Sequence, residues 1–407
     1  MSITSRAFVA TALLAATVLA QWSAPTPVTA LNTSGSEFHP SVTGDGLTLY
    51  FASSRSSNWE IYQSTRALPF GAFGAPSLVT ELNDPVGVDA GPHVSPDGLE
   101  IWFDSSRTGG AGGADLWRAT RPNTGVPFSA PVVVPELNST GSEVSPSITE
   151  DGLEIYFISS RTGGPGGGSD IWTATRPDRN SPFGTPVPDL ALSTTGAERD
   201  PTISTDGLSI LWCTDRVGGV GGADVWMATR LSRAQPFSNF VNITPVNSTT
   251  SELAASTSYM GDEMFFGSIR PGMGAYDIYS SRFTGLTSNG IAGPGRTMRL
   301  RFSDPPSSGL TYVAAASFGS VPGIPIDTRT LPLNADALLF ISVGGLPGIL
   351  NGFIGSLDID GVANGTVTIP NSPVYLGVQF VVAFVVIDPN APSNIRTISN
   401  AKDILIQ

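Results

Sequence analysis

Apolar positions in this chain recur in short alternating runs rather than at helical spacing. The clearest example has Leu153, Ile155 and Phe157 on one face of a run and Glu154 and Tyr156 on the other. A period of two predicts a strand. Residues 144–149 form a run before it, and Asp151-Gly152 between the two is a hairpin signal. A Gly-rich stretch at 162–169 turns the chain again, into a third run at 170–176. Residues 182–190 read as a fourth, and their prolines suit an outer strand with a free edge.

This order of runs occurs five times. The second run reads Leu47-Thr48-Leu49-Tyr50-Phe51, Leu99-Glu100-Ile101-Trp102-Phe103 and Leu208-Ser209-Ile210-Leu211-Trp212 in other copies. The fifth copy is degenerate, with Met260-Gly261 at the turn and Phe265-Phe266 in the aromatic slot. The third run carries Ile61-Tyr62, Leu116-Trp117, Val225-Trp226 and Ile278-Tyr279. An aromatic at fixed register is expected to pack between neighbouring sheets, with a sugar-stacking platform as the alternative.

A carboxylate and an arginine keep a spacing of 18 in every copy: Glu37 with Arg55, Asp89 with Arg107, Glu143 with Arg161, Glu198 with Arg216, Glu252 with Arg270. Successive acids are 52 to 55 residues apart. The hairpin turn lies midway, so each acid is expected directly across from its arginine as a cross-strand pair. A second carboxylate opens each third run: Glu60, Asp115, Asp170, Asp224 or Asp277. The expectation is one arginine held between two carboxylates in each copy, a structural pairing that fixes register, with ligand binding as the alternative.

Four short strands at a fixed period of this size predict one blade of a radially repeated all-β architecture. Trp22-Ser23-Ala24-Pro25 precedes Leu31-Asn32 much as Phe73-Gly74-Ala75-Pro76 precedes Leu82-Asn83. The segment 22–30 is therefore expected to finish the last blade and close a five-bladed β-propeller over residues 21–288. Beyond it the composition shifts. Residues 290–296 read as a linker, and apolar runs separated by Gly, Pro, Asn and Ser predict a small β-sandwich-like domain over 289–407.

Residues 1–20 read as a signal peptide: one early arginine, an apolar run at 7–19 and small residues before a cut after Ala20. That run is too short to span a bilayer, so stable membrane insertion after cleavage is not expected. The chain is read as exported, to a periplasmic, cell-surface or extracellular location. Cys213 is the only cysteine, so stability rests on burial and stacking rather than disulfides. Lys402 is the only lysine, which suits cations used as fixed, bidentate structural partners. A net charge of −13 argues against nucleic acid as a partner.

The order Thr149-Glu150-Asp151-Gly152-Leu153-Glu154-Ile155-Tyr156-Phe157, Ser160-Arg161-Thr162-Gly163-Gly164 and Gly168-Ser169-Asp170-Ile171-Trp172 resembles the WD40-like β-propeller repeat (PD40) of TolB-type proteins. The resemblance covers residues 22–284 and implies the fold. TolB-like propellers bind partner proteins, whereas related propellers in oligogalacturonate lyases are enzymes. Leu331-Pro332-Leu333, Ile369-Pro370-Asn371 and Ala391-Pro392-Ser393 resemble C-terminal modules of secreted planctomycete-type proteins.

Catalytic signatures are sparse. His39 and His93 are the only histidines, in different columns of the repeat, and stand as weak ligand candidates. The Gly-Gly-x-Gly-Gly runs lack the lysine and following helix of a phosphate loop and read as flexible hairpin loops. Asp-Gly turns and paired carboxylates are the one route to bound Ca²⁺, but their spacing fits no EF-hand, so no cofactor is expected. The function expected is non-enzymatic binding or scaffolding of a protein or glycan partner. The alternative is a polysaccharide-active lyase or hydrolase.

Overall fold

The structure, a computed structural model, describes residues 22–165, 168–343 and 345–407. The expected signal peptide lies outside them. The described residues form two compact units: Ala24–Tyr259 with Glu263–Ser281, and Arg282–Gln407 with Met260–Asp262 and residues 22–23.

The first unit contains five antiparallel sheets of four strands each. In the third, Glu143–Ile148 pairs with Glu154–Ser159, which pairs with Asp170–Thr175, which pairs with Val187–Pro188. The corresponding innermost strands are Glu37–Val42, Asp89–Val94, Glu198–Ile203 and Glu252–Thr257. Each lies against the innermost strand of the next sheet, and the fifth lies against the first, so the five form a closed ring. The fifth sheet takes its outer strand from the start of the chain: Thr26–Pro27 pairs with Asp277–Arg282. The buried Asn32 side chain clips the two together, accepting from Ile278 N at 2.8 Å and donating to Ile278 O at 3.1 Å.

Strand alternation fills the space between sheets. Ile155 and Phe157 pack with Trp102 and Leu116 of the preceding sheet, while Tyr156 and Ile158 pack with Ile210 and Trp212 of the following one. Both faces of each central strand are therefore apolar, and the fixed aromatics are core residues. Each fully buried Phe or Trp contributes about 1.5–3 kcal/mol from burial alone.

The innermost strands are not regular. Pairing slips between Val144 and Ser147, and at the equivalent place in the other four sheets. At this bulge one residue per sheet adopts positive φ: His39 at 52°, Gly91 at 57°, Ser145 at 52°, Asp200 at 51° and Ala254 at 53°. The residue after it is proline in four sheets, Pro40, Pro92, Pro146 and Pro201. Proline has no N–H to offer a ladder, so the sequence itself places the break.

The bulge also corrects the expected register. Glu143 lies opposite Ser159, not Arg161, because the turn is centred between Asp151 and Gly152 rather than on Gly152 and the bulge shifts the pairing by one further residue.

In the second unit, Gly285–Asn289, Thr297–Ser303, Val362–Thr368 and Leu350–Asn351 make one antiparallel sheet. Thr311–Ser317, Gln379–Ile387 and their neighbours make another. Leu300 and Phe302 of the first and Ala314, Val382 and Phe384 of the second share one core. The expected boundary at 288/289 falls within a strand whose Leu286 is buried in that core, and the expected linker 290–296 is the turn after it.

Candidate functional site

The repeated charges are settled within their own sheets. Glu37, Asp89, Glu143, Glu198 and Glu252 are fully buried and lie 3.5, 2.5, 3.1, 3.9 and 3.5 Å from Arg55, Arg107, Arg161, Arg216 and Arg270. Ser159 stands between acid and base, donating to Glu143 at 2.6 Å and accepting from Arg161 Nε at 2.9 Å. Arg161 also donates to the Leu137 carbonyl and lies 5.1 Å from the Trp172 ring centroid. The widest pair shows the cost of burial, which raises the Glu198 pKa and lowers that of Arg216.

The expectation of a second carboxylate on each arginine is not met. Asp224 instead accepts from Val220 N and Gly221 N, Asp277 from Met273 N and Gly274 N, and Asp115 from Gly112 N. Glu60 accepts from the Ser56 and Tyr62 hydroxyls. Asp170 sits in the same glycine cradle, 2.0 Å from where a Cβ on Gly164 would lie. In the four aspartate copies the loop closes on the acid because glycine leaves the backbone bare, whereas the first loop has no glycine and offers hydroxyls instead.

The Gly-rich loops are accordingly clasps rather than free hairpins. A Cβ on Gly112 would fall 1.9 Å from Gly141 O, on Gly221 2.2 Å from Ser248 O, and on Gly274 1.8 Å from Gly35 O, each in the loop before the next sheet's inner strand. Gly113 N and Gly222 N donate 2.9 Å bonds across the same junctions.

Unlike groups meet at the ring axis. The bulge column carries His39, Gly91, Ser145, Asp200 and Ala254, one from each sheet. His39 Nε2 lies 3.0 Å from Asp200 Oδ1, and Ser145 Oγ donates to the same oxygen at 2.8 Å. Ala254 N donates to Asp200 Oδ2 at 3.0 Å. The second sheet contributes Asp104, which accepts from Ser145 N at 2.9 Å. Gly91 makes room for it, since a Cβ there would lie 2.1 Å from Asp104 Oδ1. All five sheets thus enter one polar network.

Burial pushes the Asp104 carboxyl up to about 6, with His39 pulling the other way. Burial would raise Asp200 too, but His39, Ser145 and Ala254 more than offset it and hold it low. His93 lies in the next layer, bonded to Ile148 O at 3.2 Å and Ser147 Oγ at 3.3 Å, and burial lowers it to about 4. The two histidines therefore line one axial cavity without bonding each other. The cavity offers about 30 Å³ to water-sized occupants, room for a couple of waters. Two buried polar atoms on its wall, His39 Nδ1 and Ser256 Oγ, have no hydrogen-bond partner. Among the described residues, no three of His, Cys, Asp and Glu gather as a metal-holding group.

Ser145, Asp200 and Asp104 were not singled out by the sequence analysis. Reading the bulge column across the five copies would have exposed the first two, because identity there varies while the position after it is proline in four of the five.

No protein-family model matches the sequence, and a comparison with curated proteins gives no match, so neither the PD40 likeness nor the planctomycete-type one has such support. Solved structures similar in backbone include TolB from Acinetobacter baumannii, 16% identical with a TM-score of 0.38 over 62% of this chain and 56% of that one. The catalytic domain of the Coprinopsis cinerea GH62 α-L-arabinofuranosidase is 13% identical, with a TM-score of 0.44 over 65% and 97%. An endo-arabinase from Bacteroides thetaiotaomicron is 13% identical, with a TM-score of 0.42 over 63% and 96%. At these values the likeness extends to neither activity nor ligand. No helix among the described residues is long and apolar enough to cross a membrane.

Proposed function

We propose that the first unit is a five-bladed β-propeller and that the chain is an exported, non-enzymatic module binding a protein or glycan partner. The observation carrying this reading is that the repeated charges are consumed inside the blades, while the axial cavity has room for waters only. Substrate pockets are typically about 300–1,000 Å³ and bury most of their ligand. A partner would therefore lie against a face of the ring rather than enter it. The net charge of −13 disfavours nucleic acid and anionic surfaces. The test screens purified protein against a polysaccharide panel for both binding and turnover. Binding without turnover is expected.

A second reading, a polysaccharide-active hydrolase or lyase, has one observation in its favour. Asp104 and Asp200 are neighbouring carboxylates whose pKa values are pushed apart, the pattern of an acid–base pair. A serine-nucleophile relay is disfavoured, because Asp200 and Ser145 both meet His39 at Nε2 and none engages Nδ1. Turnover that is lost in His39→Ala with the fold preserved would establish the enzyme.

A further inference from the structure

The ring carries an asymmetry that the repeat does not require. Phe38, beside the bulge, has ring contacts with Trp59 at 4.6 Å, Tyr276 at 5.8 Å and His39 at 4.0 Å. All four side chains are only partly buried. The equivalents of Phe38 in the other blades are Ala90, Val144, Arg199 and Leu253. Trp59 and Tyr276 share a column with Ala114, Ser169 and Ala223. Aromatics are thus gathered around the first blade's inner strand alone, at its junctions with the fifth and second blades. Trp59 and Tyr276 end their loops at the inner strands, where their carbonyls accept from Asp89 N and Glu37 N. The aromatic wall leads through His39 directly to Asp200 and Ser145.

A partly exposed aromatic wall beside a carboxylate, an imidazole and a hydroxyl is complementary to a molecule with one apolar C–H face and hydroxyls along its edge. We propose that Phe38, Trp59 and Tyr276 form an angled platform, with Trp59 edge-to-face on Phe38, against which a neutral glycan stacks, its hydroxyls turned toward His39 and Asp200. Two buried carboxylates at the axis and the acidic chain select against uronic or sulfated sugars. The cavity is too small for a sugar ring, so the glycan lies across its mouth. This inference deepens the binding reading above and rests on it.

The test titrates the full chain calorimetrically with neutral cello-, xylo-, manno- and arabino-oligosaccharides and with an acidic oligogalacturonide. At least one neutral series is expected to bind. Trp59→Ala should weaken it roughly tenfold, Trp59→Phe much less, and Leu190→Ala on an outer segment not at all. Melting temperatures taken alongside show that the variants stay folded, and Phe38→Ala serves as the second probe should Trp59→Ala misfold. Glycan binding that survives Trp59→Ala and Phe38→Ala overturns the platform but leaves the binding reading intact. Preference for the acidic oligosaccharide, or no glycan binding at all, overturns the glycan assignment. Turnover abolished by His39→Ala overturns the binding reading itself.

Discussion

At the scale of single residues, a charge is kept where it is because its counter-charge is close. Arg161 is largely buried and Glu143 wholly so. Arg161→Ala leaves that carboxylate with only neutral donors, and an expected loss of about 2–4 kcal/mol will show in denaturant melts. Adding Glu143→Gln should recover part of it; unchanged stability in the single variant would contradict the pairing. Two axial groups give a pH test in which their signs oppose. Asp104 takes up a proton more readily in the folded chain, so its contribution is full below its unfolded value near pH 4 and disappears as pH rises through about 6. His93 resists protonation, so its contribution is full above about pH 6.5 and is lost as pH falls toward about 4. The wild-type melting temperature should therefore vary little between pH 4 and 6.5. Asp104→Asn should fall steeply on acidification and His93→Asn should rise; identical profiles in both would refute the assignment.

At the scale of elements, the sequence revealed the strands more fully than the joints between them. The first-strand acids, the Asp-Gly turns and the aromatics all fall where alternation and turn chemistry place them, because those signals are local. What one blade does to the next is not local. Gly221 closes on the Ser248 and Thr250 carbonyls in the loop before the next inner strand, and spacing along the chain does not encode that bare backbone is needed there. The candidate site was hidden for a similar reason: Ser145 and Asp200 look ordinary until the bulge column brings them to His39. The clasps can be tested directly. Gly221→Ala drives a methyl into two carbonyls of the adjoining loop and should cost about 1–3 kcal/mol, whereas Gly168→Ala meets nothing within 4 Å and should be neutral. Equal stabilities would show that the loops are free.

At the scale of the whole ring, closure depends on a segment separated in sequence by almost the entire unit. Asn32→Ala strips Ile278 N of its side-chain acceptor and Ile278 O of one of its two donors, at an expected cost of about 1–3 kcal/mol. Amide exchange should then accelerate first in Asp277–Arg282, since that strand loses its outer neighbour. Exchange spread evenly over all five sheets would instead indicate a ring that opens elsewhere. The positive-φ bulges have a consequence for how such a ring diversifies. Since each bulge residue has already left the hydrogen-bond ladder, its identity is free of the constraint that keeps proline after it in four of the five sheets. The five sockets therefore behave as interchangeable letters around a fixed frame, and new axial chemistry can be spelled one substitution at a time. Exchanging the two ends of the present pair, His39→Asp together with Asp200→His, should rebuild the same bond in reverse and recover stability that either change alone forfeits.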